Sequence, residues 1–226
     1  MKNSVSVLFM FAGILFATCL LISNILAVKI LMIGPWAVPA GVLIFPVAYI
    51  LNDVITEVWG FAKARLIIWT GFAVNLLAVL FFTLGVAVPG APFWENQQAF
   101  ATILGNTPRI VAASLCAYLV GSFLNAFIMS RMKVLTRGKG FSARAILSTL
   151  IGETADSSIF IVIAFAGVFP VGVILTMVFT QAMVKTAYEI LILPVTLWVV
   201  GWVKRAEGID TFDEGVSYNL FKLKEI

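Results

Sequence analysis

The sequence predicts an all-α integral membrane protein, with six transmembrane helices around a central polar site and both termini cytoplasmic. Three observations carry that expectation. Apolar residues make up 62% of the 226-residue chain and charged residues only 12%, against roughly 45–50% and about 25% in soluble domains. Several apolar runs exceed the ~20 residues that a helix needs to span a bilayer, and the alternating pattern of a membrane barrel is missing. The basic residues fall almost entirely on one side of a six-span arrangement. Mean hydropathy is +1.07.

The spans run over roughly 5–33, 38–60, 64–88, 108–132, 143–168 and 171–203. The first is too long for a signal peptide, and Phe16-Ala-Thr-Cys19 fits a lipoprotein cleavage box poorly because threonine precedes the cysteine. It is therefore read as a retained helix. Gly34 and Pro35 end it, and Gly60 with Lys63 and Arg65 separates the second span from the third. Pro89-Gly90-Ala91-Pro92 ends the third. The following loop carries Phe93, Trp94, Phe100, Ile103 and Leu104, which could lay a short helix on the membrane surface. Arg131 to Arg144 is a basic connector, and Gly167-Val-Phe-Pro170 is a tight turn between the last two spans. Residues 1–204 make one transmembrane domain and 205–226 a cytoplasmic tail.

Lys2, Lys63, Arg65, Arg131, Lys133, Arg137, Lys139, Arg144, Lys204, Arg205, Lys222 and Lys224 share one side of this arrangement. The opposite loops hold only Arg109, with Lys29 near that edge. Cytoplasmic loops carry such an excess, which places both termini inside. The net charge of +4 reflects this bias and gives no reason to expect nucleic-acid binding. Histidine is absent, which excludes histidine metal sites, Ser-His nucleophile pairs and HExxH proteases. No cofactor is expected. Cys19 and Cys116 both fall in apolar runs and read as small buried hydrophobes.

The stretch Phe45 to Gly60 is apolar enough for a bilayer yet carries Asn52, Asp53, Thr56 and Glu57. Asp53 and Glu57 are four apart, so a helix puts them on one face. A carboxylate in mid-membrane costs about 2.5–3.5 kcal/mol on insertion scales, so such groups face a cavity or a partner. Every span offers a polar group: Asn24, then Asn52 and Asp53, Asn75, Asn125, Glu153 with Asp156, and finally Gln181, Lys185 and Glu189. One such residue could be interhelical glue, but convergence from all six spans argues for a hydrated central site. Glu57 reads equally well as an interfacial acid paired with Lys63 and Arg65. Lys29 and Arg109 read as snorkelling. Lys185, near mid-span, needs a carboxylate, and Glu153 or Asp156 is its expected partner. Five interior acids against Lys29 and Lys185 leave an acidic interior, which suits a cationic or donor-rich ligand. Phe45, Tyr49, Trp69, Phe72, Tyr118, Phe123 and Tyr188 could supply stacking faces.

Four segments carry a resemblance. Ser23-Asn-Ile-Leu-Ala-Val-Lys29, Phe45-Pro to Asn-Asp-Val-Ile-Thr-Glu57, Gly152-Glu-Thr-Ala-Asp-Ser157 and Lys185 to Pro194 resemble the queuosine precursor transporter family, also called the vitamin uptake transporter (VUT) family. The likeness extends to Ile209-Asp-Thr-Phe-Asp213 and Asn219-Leu-Phe221, where the family often has proline in place of Leu220. It implies a six-helix protein of the bacterial inner membrane, related in fold to the substrate-binding subunits of energy-coupling-factor transporters. It implies uptake of the 7-deazaguanines preQ0 and preQ1, or queuine, for tRNA modification. Only Gly13 and Ala17 approximate the small-residue stripe by which those subunits meet their partner, and no nucleotide-binding motif is present. A stand-alone transporter without an ATPase module is the expectation, with a homodimer left open. The alternatives are a proton or cation channel, or a carrier of another nucleobase- or vitamin-like solute. On energy coupling, the sequence leans to facilitated diffusion followed by trapping, for want of a visible proton relay.

Overall fold

The computed structural model describes residues 5–33, 36–105 and 108–222. Helix α1 (Val7–Leu26) starts where the Ser6 side chain accepts a hydrogen bond from the Phe9 amide at 3.1 Å, satisfying one of the orphan donors of the first turn. Strands β1 (Ile30–Ile33) and β2 (Trp36–Pro39) then pair antiparallel. The sequence reading carried the first span to residue 33 and began the second at 38. The branched residues of Ile30-Leu-Met-Ile33 take extended backbone instead, and Gly34 and Pro35 themselves lie outside the described residues. A 3-10 turn (Ala40–Leu43) leads into α2 (Phe45–Ala87). Helices α3 (Gln97–Leu104), α4 (Pro108–Leu135), α5 (Phe141–Phe165) and α6 (Val171–Glu207) follow. Helix α3 buries none of its residues, and the Phe93 side chain before it is 88% exposed.

Five helical stretches are long and apolar enough to cross a membrane. The expected second and third spans both fall within α2, which has 43 residues. A straight helix of that length would measure ~65 Å, about twice the thickness of a bilayer core. Gly60 interrupts it at φ 83° and ψ 173°, a conformation that L side chains avoid. The neighbours on α4 give the directions of the two halves. Asn52 bonds Asn125, and the Glu57 carbonyl accepts from Lys133, so residues 45–59 run along α4. Phe61 and Ser130 share the Asp213 carboxylate, Trp69 packs on Phe123, and Tyr118 bonds the Ile68 carbonyl, so residues 61–87 run against it. The chain reverses at Gly60.

Helices α4 and α5 pack backbone to backbone. A Cβ on Gly121 would lie 3.1 Å from the Gly152 carbonyl oxygen, and one on Gly152 would lie 3.0 Å from that of Gly121. Close approach through small residues is the usual means of joining membrane helices, and it sets Asp156 against Gly121 and Asn125 against Gly152. The start of α1 and the end of α6 lie at one end of the molecule, where Trp59 touches both Phe9 and Glu207. The hairpin, α3 and the α5–α6 turn lie at the other.

Candidate functional site

A cavity of about 1120 Å³ opens between the helices. Its wall runs from the hairpin-end residues Val28, Ile103, Leu104 and Gly172 down to Asp53, Asn125 and Thr149. In it, Lys185 of α6 meets the two α5 carboxylates, with Nζ 2.6 Å from both Glu153 Oε2 and Asp156 Oδ2. The expected ion pair is thus a triad. Lys185 donates a hydrogen bond to Asp156 and holds Glu153 Oε2 as an ion pair at the same distance. The spacing explains the geometry, since residues three apart share a helix face.

Above the triad, Asn24 donates to Asn75 at 2.6 Å, and Asn75 anchors itself to the Gly71 carbonyl. Deeper, Asn52 donates to Asn125 at 2.9 Å, and Asn125 donates to Thr149 at 3.2 Å. These amides are each oriented by a partner, so their remaining groups point in fixed directions. Tyr49, Tyr118, Tyr188 and Gln181 complete the polar wall. Of the residues expected at the site, Asn24, Asn52, Asp53, Asn75, Asn125, Glu153, Asp156, Gln181, Lys185, Tyr49, Tyr118 and Tyr188 all line this cavity. Glu189 does not. It is fully buried behind the wall, facing Asp53. The side chain of Phe45 lies outside the described residues. Trp69 and Phe123 pack on each other, and Trp69 also donates to the Leu220 carbonyl, so both belong to a helix seam and not to the site.

The family described as "Putative vitamin uptake transporter" matches residues 39–199, a stretch holding the whole triad and both asparagine pairs except Asn24. This chain belongs to that family. It is 28% identical to the "Probable queuosine precursor transporter" of Bacillus subtilis over 82% of its own length and 80% of that protein. It is also 28% identical to the "Queuosine precursor transporter" of Escherichia coli, over 55% of its own length and 54% of that protein. No solved structure matches.

At the far end from the hairpin, the family member closes its cavity with a second charged cluster. Glu57 is 1% exposed, and its partners are not Lys63 and Arg65. Arg144 grips its carboxylate with two hydrogen bonds of 2.6 and 3.1 Å, and Lys204 adds a third of 2.7 Å. Lys133, 3.6 Å away, also bonds the Glu57 carbonyl oxygen. The charge that Glu57 was expected to add to the cavity is thus spent here. The tail after Gly208 folds back over this cluster. Asp213 caps the second half of α2 by accepting from the Phe61 amide at 2.9 Å and from Ser130. Arg65 donates to the Ser217 and Asn219 carbonyls. Asp210 bonds Lys133 and Lys204. Burial pushes the Asp210 carboxyl up, but these hydrogen bonds and charges outweigh it and hold its pKa below the usual carboxylate range. In the sequence, Arg144, Lys133 and Lys204 have only a topological role. That three of them converge on one acid was invisible, because no spacing links residues 57, 133, 144 and 204. Arg109 donates to the Ile163 and Ala166 carbonyls at the end of α5.

Proposed function

We propose that this protein is a bacterial inner-membrane carrier that takes up 7-deazaguanine precursors of queuosine, such as preQ0 and preQ1, for tRNA modification. The observation that carries this reading is the Glu153–Lys185–Asp156 triad in the cavity wall, in which two carboxylates share one lysine. A guanine-like edge presents a ring N–H and an exocyclic NH2 side by side, and a carboxylate accepts such a pair bidentately. Glu153 is assigned that contact. The oriented amides of Asn24, Asn52, Asn75, Asn125 and Gln181 serve the remaining polar atoms, and Tyr49, Tyr118 and Tyr188 serve the ring faces. Asp156 holds Lys185 and, through it, the position of Glu153. Both relatives are named as queuosine precursor transporters, which supports the substrate class.

Carriage is favoured over conduction because the cavity wall ends at Asp53, Asn125 and Thr149. Beyond it lies the buried Glu57 cluster with Arg144, Lys133 and Lys204, which favours a closed end. The protein works without catalysing a reaction. It also works without an ATPase module, since Gly13 and Ala17 are buried against this chain's own helices. A Cβ on Gly13 would lie 2.5 Å from Ile67.

In this reading the chain crosses the bilayer six times, with residues 45–59 and 61–87 as separate passes, and the tail end is cytoplasmic. Lys63, Arg131, Arg137, Lys139 and Arg205 all belong to that end, as the positive-inside rule asks. Cysteines placed at Gly138 and Gly208 are expected to escape an impermeant thiol reagent in intact cells, and one at Gln98 to react. Labelling of position 138 from outside would overturn the orientation. The substrate is tested by uptake in a strain blocked in de novo queuosine synthesis. External preQ0 or preQ1 is expected to restore queuosine in tRNA only when this gene is expressed, and no restoration sinks the substrate assignment.

A further inference from the structure

We propose that Asp53 and Glu189 form a proton-binding site, one proton held between their two carboxyl groups, which loads from the cavity and couples uptake to a proton gradient. The site stands on two buried acids with unmet acceptors, and its use in transport rests on the carrier reading above. Asp53 is 1% exposed and Glu189 0%. They come from different helices, the first half of α2 and α6, and their carboxyl groups lie within hydrogen-bonding reach of each other. An ionised carboxylate only accepts hydrogen bonds. Two of them in contact can bond only through a proton, and like charges at such range do not both stay ionised.

Among the described residues, the nearby cations are bound to other acids. Among the described residues, Asp53 Oδ2 and both Glu189 oxygens have no hydrogen-bond donor. Towards the tail, Arg144 and Lys204 are bound to Glu57, and Lys133 is shared between the Glu57 carbonyl and Asp210. Towards the cavity, Lys185 lies between Glu153 and Asp156. Helix α1 carries no charged residue. The charged groups that face the pair are thus Glu57 and Arg144 on one side and Glu153 on the other. Among the described residues, no group of three acids or other ligating side chains could hold a metal ion, which favours a proton over a metal cation.

Position gives the pair its use. Asp53 reaches the cavity wall and Glu189 does not, so a proton arrives from cavity water at Asp53 and bridges to Glu189. Glu57, one turn further along the same helix, anchors the closed end. Lys185, one turn from Glu189 on α6, anchors the triad. A movement that parts residues 45–59 from α6 opens the tail end, separates the two carboxyls and frees the proton on that side. This departs from the sequence's lean towards facilitated diffusion, which rested on the want of a visible proton relay.

Infrared difference spectroscopy of the protein in lipid at neutral pH tests the site directly. A protonated-carboxyl stretch that shifts in D2O is expected, lost or reduced in Asp53→Asn and in Glu189→Gln and kept in the tail control Glu214→Gln. Absence of the band from the wild type, or a band that neither substitution alters, would overturn the site. Proteoliposomes then test its use with preQ0. An inward gradient of one pH unit drives about tenfold accumulation if one proton accompanies each ligand. Glu189→Gln is expected to retain preQ0 binding and counterflow exchange and to lose this accumulation. Accumulation driven by sodium in place of protons, or by the pH gradient equally in Glu189→Gln, refutes the coupling. An intact carboxyl band with no preQ0 binding at all leaves the proton site standing and refutes the carrier's substrate.

Discussion

Glu57 and Asp53 are buried acids on the same face of the same half-helix, one turn apart, yet their surroundings are opposite. Glu57 takes three charge-assisted hydrogen bonds from Arg144 and Lys204, with Lys133 behind them. Asp53 meets another acid, and among the described residues its Oδ2 has no hydrogen-bond donor. A buried charge is tolerated only when paired and hydrogen-bonded. Glu57 meets that condition fully and therefore holds structure together, joining α2, α4, α5 and α6 under the tail. Asp53 does not meet it as a carboxylate, and in the proposal above it shares a proton with Glu189 instead. The glutamate that the sequence left between the interface and the site is held as a clamp, and in the proposal above the aspartate beside it is the working group.

The largest effect expected from this contrast comes from Glu57→Gln. It leaves Arg144 and Lys133, 0% and 2% exposed, short of their counter-charge. Breaking a buried pair costs about 3–5 kcal/mol, so thermal unfolding in detergent should shift strongly, or the protein should fail to accumulate. Asp53→Asn should cause no comparable loss. Equal destabilisation by the two substitutions would erase the distinction between clamp and working group.

Next comes the triad, which shares features of both. Glu153→Gln replaces an acceptor with a group that is half donor, and preQ1 affinity measured by calorimetry should fall by about 1.5–3 kcal/mol, roughly ten- to a hundredfold. Unchanged affinity in a folded variant would remove Glu153 from ligand contact and class it with Glu57. Gly60→Ala strikes the clamp from the backbone. Its φ of 83° and a Cβ 2.6 Å from Asp213 Oδ1 should cost about 1–3 kcal/mol and loosen the tail, read as faster proteolysis after Gly208.

The smallest effect is expected at the rim of the clamp. Asp210 has a lowered pKa in the folded protein, so its contribution to stability is present above its ordinary value and is lost as pH falls through the lower folded value. Its side chain is 45% exposed, and screening by solvent keeps the effect under about 1 kcal/mol. Asp210→Asn should therefore lower the melting temperature slightly at neutral pH, and the difference from wild type should close as pH falls below about 3.8. A difference independent of pH would mean that Asp210 contributes by packing alone.

Much of the site was legible because a membrane makes polar residues conspicuous. Twelve expected residues line one cavity, since in a chain of this hydropathy a mid-span Asn24, Asn75 or Glu153 has nowhere else to go. The helix i, i+3 spacing was enough to put Glu153 and Asp156 on one face, and mid-span burial was enough to demand a partner for Lys185. Local rules failed where backbone chemistry competed. Ile30–Ile33 carries apolar residues that suit either a helix or a strand, and it took the strand.

The sequence by itself determined that this is a membrane protein with a polar centre, which ends carry the basic residues, and where α2 would have to break. These follow from transfer free energies, charge bias and the φ freedom of one glycine, all of which act through short stretches of chain. Only the tertiary structure decided that Arg144, Lys133 and Lys204 would close on Glu57, that the tail would cap Phe61 through Asp213, and that Asp53 would face Glu189. Each of these joins residues dozens of positions apart, with Asp53 and Glu189 on helices that meet only when the bundle assembles. Whether a buried acid is a lock or a proton carrier depends on which side chains surround it, and no pattern along the chain encodes that.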